Sequence, residues 1–257
     1  MDIDQQICIP LISVIMPAYN ASAYIREAVT SVLEQTVTNW ELLIIDDCSS
    51  DDSFQIAEEY ARYDSRIKAL RNEQNMGVAK TRNKAIELSR GQYIAFLDSD
   101  DAWYPQKLEK QLQLLVTENA ELAYCSYKIV GADGKTARPD YIVPERIDYK
   151  GLLKENVISC SAMLIRAQAV KKIGFNTDFF HEDYVLGLEL LRGGCKAVGC
   201  RELLMHWRYI ENSRSFNKKK SAQNRWRIYR NYLKLPLISC VYYFAHYAAA
   251  GLRKYRK

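Results

Sequence analysis

Short apolar runs alternate with longer stretches of helical period through the first half of the chain, and few folds accommodate that pattern. Strands are predicted at residues 11–16, 40–45, 67–71 and 93–97, and helices at about 22–35, 53–63, 78–89 and 105–119. Strands that alternate with helices pair in parallel, because each helix carries the chain back across the sheet. The prediction is an α/β fold with a mostly parallel central sheet and helices on both faces.

After residue 119 the pattern changes, and a mixed or antiparallel extension of the sheet is predicted. Strands are expected at 122–130 and within 162–166, with a turn signal at 132–134 between them. No Ser/Gly-rich linker separates this part from the first half. We therefore predict one domain over residues 1–212, with halves of about 1–119 and 120–212, followed by a helical tail over 213–257.

The tail differs from the rest of the chain in charge. The 257 residues carry a formal net charge of +5, but residues 212–257 contain twelve Lys or Arg and no acidic residue. Residues 1–211 carry the other 24 basic residues and all 31 acidic ones, which gives a net charge of −7. A mildly acidic body thus carries a strongly basic tail.

Within this tail, residues 235–252 form an uncharged stretch of eighteen residues interrupted by Pro236. Eighteen is at the lower limit of what a bilayer-spanning helix needs. Several tyrosines and basic flanks suit a helix that lies in the headgroup region of an anionic membrane instead. We predict a basic amphipathic helix on the inner membrane surface; the alternatives are a spanning helix and a helix docked on the protein.

The cysteines and the N-terminus bear on the compartment. Seven cysteines are scattered without a C-x-x-C pair, and Met1-Asp-Ile-Asp is acidic where a secretory signal is basic. Reduced thiols are expected, and no zinc site. Together with the tail, this predicts a cytoplasmic protein that is peripheral at the cytoplasmic face of the cell membrane.

Polar residues follow three of the predicted strands, at the sheet edge where α/β proteins bind ligands. The first run ends at Pro17-Ala18-Tyr19-Asn20, the second at Asp46-Asp47, and the fourth at Asp98-Ser99-Asp100. Neither G-x-G-x-x-G nor G-x-x-x-x-G-K-[ST] accompanies these strands, so dinucleotide oxidoreductases and P-loop NTPases are disfavoured. Carboxylates repel phosphate, so a phosphorylated ligand here requires a divalent cation.

The Asp98-Ser99-Asp100 sequence suits such a cation. Alternate residues at a strand end place two hard oxygen ligands near one edge, as Mg²⁺ or Mn²⁺ prefers. The cation would bridge to a diphosphate. The alternative is an acidic loop that caps the helix expected after Pro105.

The carboxylates at the second strand end have two interpretations. Asp46 or Asp47 could accept the imide N–H of uracil. Alternatively, Asp47, Ser49 and Ser50 could cap the helix that begins near Ser53.

Five motifs resemble, in their order and spacing, those of family 2 glycosyltransferases with the GT-A fold. Within that family the chain is most similar to bacterial enzymes of cell-surface polysaccharide synthesis, including the teichuronic acid type. The resemblance covers about residues 11–215. The motifs are Val14-Ile-Met-Pro-Ala-Tyr-Asn20, Ile45-Asp-Asp-Cys-Ser-Ser-Asp51, Asn75-Met-Gly-Val-Ala-Lys-Thr-Arg-Asn83, Gly91-Gln-Tyr-Ile-Ala-Phe-Leu-Asp-Ser-Asp-Asp101 and His181-Glu-Asp183.

The resemblance implies a Rossmann-like GT-A sheet, with nucleotide binding in the half at about 1–119 and acceptor binding at about 120–212. It implies a nucleotide-sugar donor, UDP by default, a glycan or polyprenyl-linked glycan acceptor, and Mn²⁺ or Mg²⁺. Asp98 would hold ribose or metal-bound water, and Asp100 would be the main metal ligand. Donor contacts are implied for Pro17, Ala18, Tyr19, Asn20, Asp46, Asp47, Arg82, Asp98, Ser99 and Asp100.

The Glu182-Asp183 pair would supply the catalytic base, with Asp183 preferred. In an inverting displacement one group takes the proton of the acceptor hydroxyl, and a desolvated carboxylate can do so. The alternative, compatible with the first, is that both acids complement the dipole of the helix expected at 184–192.

Three further residues have two interpretations each. His206 and Arg208 could equally reach the diphosphate or belong to a packed strand with a snorkelling arginine. Trp103 is expected in the core, with stacking on an acceptor ring as the alternative.

Two other functions compete with this one. A nucleic-acid-binding protein would explain the basic tail but not the acidic strand ends, so no nucleic-acid partner is predicted. A phosphohydrolase using Asp98 and Asp100 would leave residues 17–20 unexplained. The multiple membrane spans of processive synthases are missing from the sequence, which favours a non-processive enzyme.

Overall fold

The computed structural model describes residues 10–210 and 218–255, with side chains up to residue 251. Cys8 and the predicted start of the tail near Ser213 lie outside the described residues. Ten strands and nine α-helices occur in the described part of the chain, together with a 3₁₀ turn at Cys160–Ala162 and a π-helical segment at Ile228–Tyr232.

The strands are β1 Ile12–Ala18, β2 Trp40–Asp46, β3 Ile67–Arg71, β4 Tyr93–Phe96, β5 Ala102–Trp103, β6 Leu122–Val130, β7 Thr136–Tyr141, β8 Arg146–Ile147, β9 Leu164–Arg166 and β10 Ala197–Arg208. The helices are α1 Ile25–Leu33, α2 Ser53–Tyr63, α3 Val78–Leu88, α4 Lys107–Thr117, α5 Tyr149–Lys154, α6 Ala167–Ile173, α7 Glu182–Arg192, α8 Lys218–Arg227 and α9 Leu237–Tyr255.

The strands form one mixed sheet in the order β3-β2-β1-β4-β9-β6-β10-β5, with β7 paired to β6 and β8 to β10. The first four strands are parallel. Strand β9 is antiparallel to both β4 and β6, and β10 returns parallel to β6. The predicted parallel half and its mixed extension are both confirmed.

Helices cover both faces of the sheet, as predicted, and each face has its own hydrophobic core. One core contains side chains from α1, α2 and α4, whereas the other contains side chains from α3, α5, α6, α7 and the tail. Neighbouring residues of β1 alternate between them, with Val14 and Met16 in the first core and Ile15 in the second. This alternation explains why the strands are uninterrupted apolar runs.

Strand register brings three strand ends to one edge. Ala18 pairs with Asp46, Asp46 with Arg71, and Ile15 with Phe96. The segments after β1, β2 and β4 therefore emerge side by side, as the sequence predicts for an α/β crevice.

The described part of the tail has two helical pieces, which lie on either side of Pro236. Residue 234 adopts a left-handed conformation with φ of 53° between the π-helical segment and α9. Cys240 of α9 is buried in the second core together with Ile228 and Tyr229. Within the described residues, no helix has the combined length and hydropathy required to cross a bilayer.

Candidate active site

The segments that follow β1 and β2 are joined by hydrogen bonds. The backbone N–H of Asp47 donates to the carbonyl of Ala18 over 2.7 Å, and that of Asn20 donates to Ser49 Oγ over 3.0 Å. Asn20 Oδ1 in turn accepts from the N–H of Ser50 at 2.9 Å. The two loops therefore form one wall at the sheet edge.

In this wall the predicted donor residues differ in accessibility. Pro17 and Ala18 are buried at the end of β1, whereas the Tyr19 side chain is 54% exposed. Asn20 and Cys48 both have left-handed backbone conformations, with φ of 49° and 62°. Tyr19 and Asn20 are therefore the exposed residues of the wall that a ligand could contact.

Asp46 and Asp47 are both buried, but their carboxylates have different partners. Asp47 accepts hydrogen bonds from Asn72 Nδ2 and from the backbone N–H groups of Met76 and Gly77, each at 2.8 Å. Its carboxylate thus fastens the loop before α3.

The Asp46 carboxylate is only partly satisfied. Its Oδ2 accepts from the N–H of Ser49 at 3.0 Å and lies 3.3 Å from Arg71 Nε. Its Oδ1 is buried and has no hydrogen-bond partner among the described residues. A buried oxygen without a donor is costly, so this atom is a candidate acceptor for a ligand N–H.

Asp47, Ser49 and Ser50 do not cap α2, because its N-cap residue is Asp52, which makes no side-chain capping hydrogen bond. Asp51 Oδ1 accepts from the N–H of Ser53 at 3.0 Å, at the first residue of α2. This capping interpretation is therefore wrong for those three residues.

Three of the four residues at positions 98–101, in the loop after β4, are aspartates, and the fourth is Ser99. Asp98 and Asp100 are partly exposed, and Ser99 and Asp101 are buried. Burial, with the negative charge of Asp98, raises the pKa of Asp100 to about 6. Burial and the charges of Asp100 and Asp98 raise the pKa of Asp101 well above its usual range.

Such crowding of carboxylates favours a cation. Asp98 and Asp100 offer hard oxygen donors, and an ion that completes its shell with water and phosphate oxygens needs only one or two carboxylates from the protein. No group of three or more His, Cys, Asp or Glu side chains is arranged as a ready metal site in the described residues. The two aspartates thus fit a cation shared with a ligand.

Arg82 connects this loop to the first turn of α7. Its guanidinium is buried; Nη2 donates to Asp98 Oδ1, and Nη1 donates to Glu182 Oε1 over 2.8 Å. Burial alone would lower the pKa of Arg82, but the charges of Asp98 and Glu182 raise it well above its usual range. The guanidinium is therefore a permanent cation between the two acidic segments.

Glu182 and Asp183 begin α7 but have different surroundings. Glu182 is buried against Arg82, whereas Asp183 is partly exposed. Surrounding protein atoms and the charge of Glu182 raise the pKa of Asp183 to about 6, although Arg82 opposes this. Asp183 Oδ1 also accepts from the N–H of Tyr184 at 2.8 Å. Asp183 thus combines a raised pKa, which would suit a general base, with a position in the first turn of the helix.

Arg208 lies behind the acidic loop, and its side chain is buried. Its Nε donates to the carbonyl of Asp100 at 2.9 Å, Nη1 to the carbonyl of Gly131 at 3.1 Å, and Nη2 to Glu27 Oε2 at 2.5 Å. All three nitrogens therefore donate to protein oxygens. The structure does not bring the predicted Arg208 guanidinium into the open crevice.

His206 and Trp103 are likewise engaged with the protein. His206 Nε2 is 2.6 Å from Tyr104 Oη, and burial lowers the pKa of the imidazole. Trp103 is buried; its Nε1 donates to the carbonyl of Ser161 at 2.9 Å, and Lys107 Nζ lies 4.0 Å from a ring centroid. An acceptor sugar cannot stack on this ring, so the core interpretation of Trp103 is confirmed and the sugar-platform alternative is wrong.

Three residues that support the site were not predicted. Ser161 Oγ accepts from the N–H of Asp98 at 3.0 Å, Asn72 fastens Asp47, and Glu27 neutralises Arg208. None belongs to a chemical motif, and each lies far along the chain from its partner. Only the serine-rich stretch before Ala162 hints at a hydroxyl here.

The chain is similar in sequence to known glycosyltransferases. The profile of Glycosyl transferase family 2 matches residues 13–174. A Bacillus subtilis (strain 168) glycosyltransferase, TuaG, whose name assigns it provisionally to teichuronic acid biosynthesis, is 37% identical over 95% of this chain and 97% of its own. The Escherichia coli UDP-Glc:alpha-D-GlcNAc-diphosphoundecaprenol beta-1,3-glucosyltransferase WfgD is 36% identical over 95% of each chain.

Solved structures share the fold at low sequence identity. Staphylococcus aureus TarS (residues 1–349), in complex with UDP-GlcNAc, has a TM-score of 0.70 at 21% identity, over 85% of this chain and 64% of that one. The Pyrobaculum calidifontis mannosyltransferase PcManGT, in complex with GDP-Man and Mn²⁺, has a TM-score of 0.71 at 15% identity, over 88% and 65%. The chain spans slightly under two thirds of each, and these likenesses confirm the GT-A fold.

Proposed function

Because the chain belongs to glycosyltransferase family 2, we propose that it is an inverting, metal-dependent, non-processive enzyme of cell-surface polysaccharide biosynthesis. It transfers one sugar per encounter from a nucleotide sugar to a hydroxyl of a glycan acceptor. The observation that carries the proposal is the Arg82 bridge, which puts Asp98 and the Glu182-Asp183 pair around one guanidinium. Neither a phosphohydrolase nor a nucleic-acid-binding protein is favoured by the family.

The donor is proposed to be a UDP-sugar bound in the half at about 1–119. Its base lies against the wall formed by residues 17–20, and Asp46 accepts the imide N–H of uracil through the oxygen that has no partner in the described residues. Asp47 holds the loop before α3 and acts on the donor through it. The proposal is supported by the UDP-Glc in the name of WfgD and the UDP-GlcNAc bound to TarS.

Asp100, with Asp98 beside it, would hold Mn²⁺ or Mg²⁺. A cation held there would supply positive charge to stabilise the departing diphosphate. Arg82 orients Asp98, Ser161 fixes the backbone at Asp98, and Arg208 holds the carbonyl of Asp100. Ser99 lies between the two aspartates, and His206 remains a proposed diphosphate contact that would first have to leave Tyr104.

Asp183 is proposed as the general base in the acceptor half at about 120–212. It takes the proton of the acceptor hydroxyl while that oxygen attacks the anomeric carbon on the face opposite the nucleotide. The new glycosidic C–O bond forms as the sugar–phosphate bond breaks, and the nucleoside diphosphate leaves without a protein acid. Glu182 is paired with Arg82 and therefore supports Asp183 rather than replacing it.

The acceptor is proposed to be a polyprenyl-linked glycan, because the name of the relative WfgD contains a GlcNAc-diphosphoundecaprenol. We place this acceptor at the cytoplasmic face of the inner membrane. The tail over 213–257 would bring the enzyme there, because α9 turns an apolar face outward. The exposed residues Arg230 and Lys234 lie just before that face in the chain, and anionic lipid would attract their positive charges. The exposed positions between 237 and 249 are all apolar: Leu237, Ile238, Val241, Tyr242, Ala245, Ala248 and Ala249.

The test is a transfer assay with a panel of nucleotide sugars, Mn²⁺ or Mg²⁺, and polyprenyl-diphosphate-linked GlcNAc as the acceptor. The expected product is a disaccharide whose new linkage has the opposite anomeric configuration to the donor. The Asp183→Asn variant should bind the donor with normal affinity and form no product. The proposal would be contradicted if no nucleotide sugar stabilised the folded protein against thermal unfolding. It would also be contradicted if the product kept the anomeric configuration of the donor.

A further inference from the structure

Helix α8, the first helix of the basic tail, packs directly on the segment that carries the proposed base. Asn224 Oδ1 accepts a hydrogen bond from the backbone N–H of Phe180 at 3.2 Å. The guanidinium carbon of Arg225 lies 3.4 Å from the ring centroid of Tyr184. These two contacts flank Asp183 on both sides in the chain, and both α8 side chains are buried.

The position of Asp183 depends on this backbone. Among the described residues its carboxylate accepts a hydrogen bond from the N–H of the next residue, Tyr184, which moves with it. The N-cap of α7, His181, makes no side-chain capping bond. The start of α7 is therefore held by contacts from outside the helix: Arg82 at Glu182, and α8 at Phe180 and Tyr184.

Arg225 extends the connection to the last helix. Its guanidinium carbon is also 4.8 Å from the ring centroid of Tyr247 in α9, so one buried cation lies between α7 and α9. Burial alone would lower the pKa of Arg225, but Tyr184, Tyr229 and Tyr247 raise it. A planar guanidinium stacked on an aromatic ring is not replaced by lysine, which lacks the flat surface.

We propose that Asn224 and Arg225 are positioning residues for catalysis, so that α8 is part of the active site rather than only a link to the membrane. This inference rests on the proposed function in one respect, the role of Asp183. Asn224 fixes the backbone at Phe180, Arg225 fixes Tyr184, and together they set where the Asp183 carboxylate stands relative to the donor. Misplacing a reacting group by about 1 Å costs up to about a hundredfold in rate.

Asn224→Ala is the first test, in the full-length protein. It removes the acceptor for the Phe180 N–H, and we expect kcat to fall about tenfold or more while the donor KM stays within about twofold. Asn224→Asp keeps an acceptor oxygen of the same shape and should restore most of kcat. Gln223→Ala, at the exposed neighbouring position, is the matched control and should have wild-type kinetics.

Arg225→Lys is the second test, because it keeps the charge and loses the stacked plane. A several-fold loss of kcat with unchanged donor KM is expected. Equal loss of kcat and donor affinity in the Asn224→Ala and Arg225→Lys variants would indicate general damage and overturn the proposal. Wild-type kcat in Asn224→Ala would overturn it as well.

Amide hydrogen exchange gives a readout that needs no turnover. Exchange over residues 179–184 should accelerate in Asn224→Ala, return towards wild type in Asn224→Asp, and stay unchanged in Gln223→Ala. Unchanged exchange in Asn224→Ala overturns the positioning role even if no donor is ever found. If exchange accelerates in Asn224→Ala but the wild-type protein transfers no sugar, the result would instead count against the proposed function.

Discussion

Arg82 and Glu182 form a buried ion pair of 2.8 Å between residues one hundred positions apart in the chain. The same guanidinium donates to Asp98. Helix α3, the acidic loop after β4 and the start of α7 therefore meet at one cation. In the proposed mechanism both the donor and the acceptor sides meet here, since Asp98 belongs to the proposed metal site and the proposed base Asp183 follows Glu182.

Replacing Arg82 by glutamine should damage both stability and activity. Glu182 would remain buried without its cation, which typically costs about 3 to 5 kcal/mol of unfolding free energy. Urea denaturation measures this cost. Arg26→Gln is the control, since the Arg26–Glu59 pair is exposed, and it should leave the midpoint unchanged. A wild-type midpoint for Arg82→Gln would contradict a structural role for the bridge.

The pH dependence of transfer should report Asp183. Its raised pKa of about 6 means that the carboxylate is protonated, and inactive as a base, at lower pH. We expect kcat/KM to rise about tenfold per pH unit below about 6 and to level off above it. Glu182, Asp98 and the Cys160 thiol face Asp183 together with Arg82, which lowers its pKa. In Arg82→Gln the rising limb should therefore move to higher pH; a limb that stays in place would count against this assignment.

The strand ends could be predicted because parallel pairing leaves little freedom. Once β1, β2 and β4 are recognised as buried apolar runs, their carboxyl ends must lie at one edge, and residues 17–20, 46–47 and 98–100 follow from that alone. Alternating helices then have to cover both faces. The family resemblance added Arg82 and the Glu182-Asp183 pair to the same edge, and the fold brings them there.

Residues that act through tertiary contacts could not be predicted in this way. Trp103 follows the acidic loop, where an exposed ring is plausible from sequence, but the chain pairs Trp103 with Met205 and buries the indole. Arg208 lies two residues after His206 in β10. Its side chain lies behind the acidic loop, where Nε donates to the carbonyl of Asp100. Ser161 is 63 residues from Asp98, and no periodicity in the sequence signals their hydrogen bond.

Asp100→Asn should abolish metal-dependent binding of the nucleotide. The substitution removes one of the two partly exposed carboxylates of the acidic loop but keeps the side chain at the same size. Wild-type protein with Mn²⁺ and UDP should be stabilised by about 2.7 kcal/mol at a hundredfold excess over Kd, and the variant by much less. Thermal shift with and without Mn²⁺ measures the difference. Asp140→Asn, at an exposed acid outside the crevice, should behave as wild type; equal stabilisation of both variants would refute the assignment.

Gly91→Ala should destabilise the strand that leads to the acidic loop. A Cβ at this position would lie 2.5 Å from the backbone nitrogen of Ser13 and 2.8 Å from the carbonyl carbon of Ile12, atoms that cannot move without shifting β1. Overpacking of this kind costs about 1 to 3 kcal/mol. Gly251→Ala is the control because its Cβ meets nothing within 4 Å in α9, where alanine favours the helix. Equal unfolding midpoints for the two variants would be evidence against the close approach.

The apolar face of α9 gives the last prediction. Ile238 has a side chain that is 86% exposed, and a headgroup region would cover it together with Val241. Ile238→Asp with Val241→Asp should reduce sedimentation with phosphatidylglycerol vesicles about tenfold or more, because each change removes buried apolar area and adds repulsion from anionic lipid. Val116→Asp alters an exposed apolar residue of α4, 67% exposed, and should bind as wild type. If the double variant binds vesicles as strongly as the wild type, α9 does not mediate membrane binding. If the wild-type protein binds neutral vesicles as strongly as anionic ones, the basic flank does not contribute to binding.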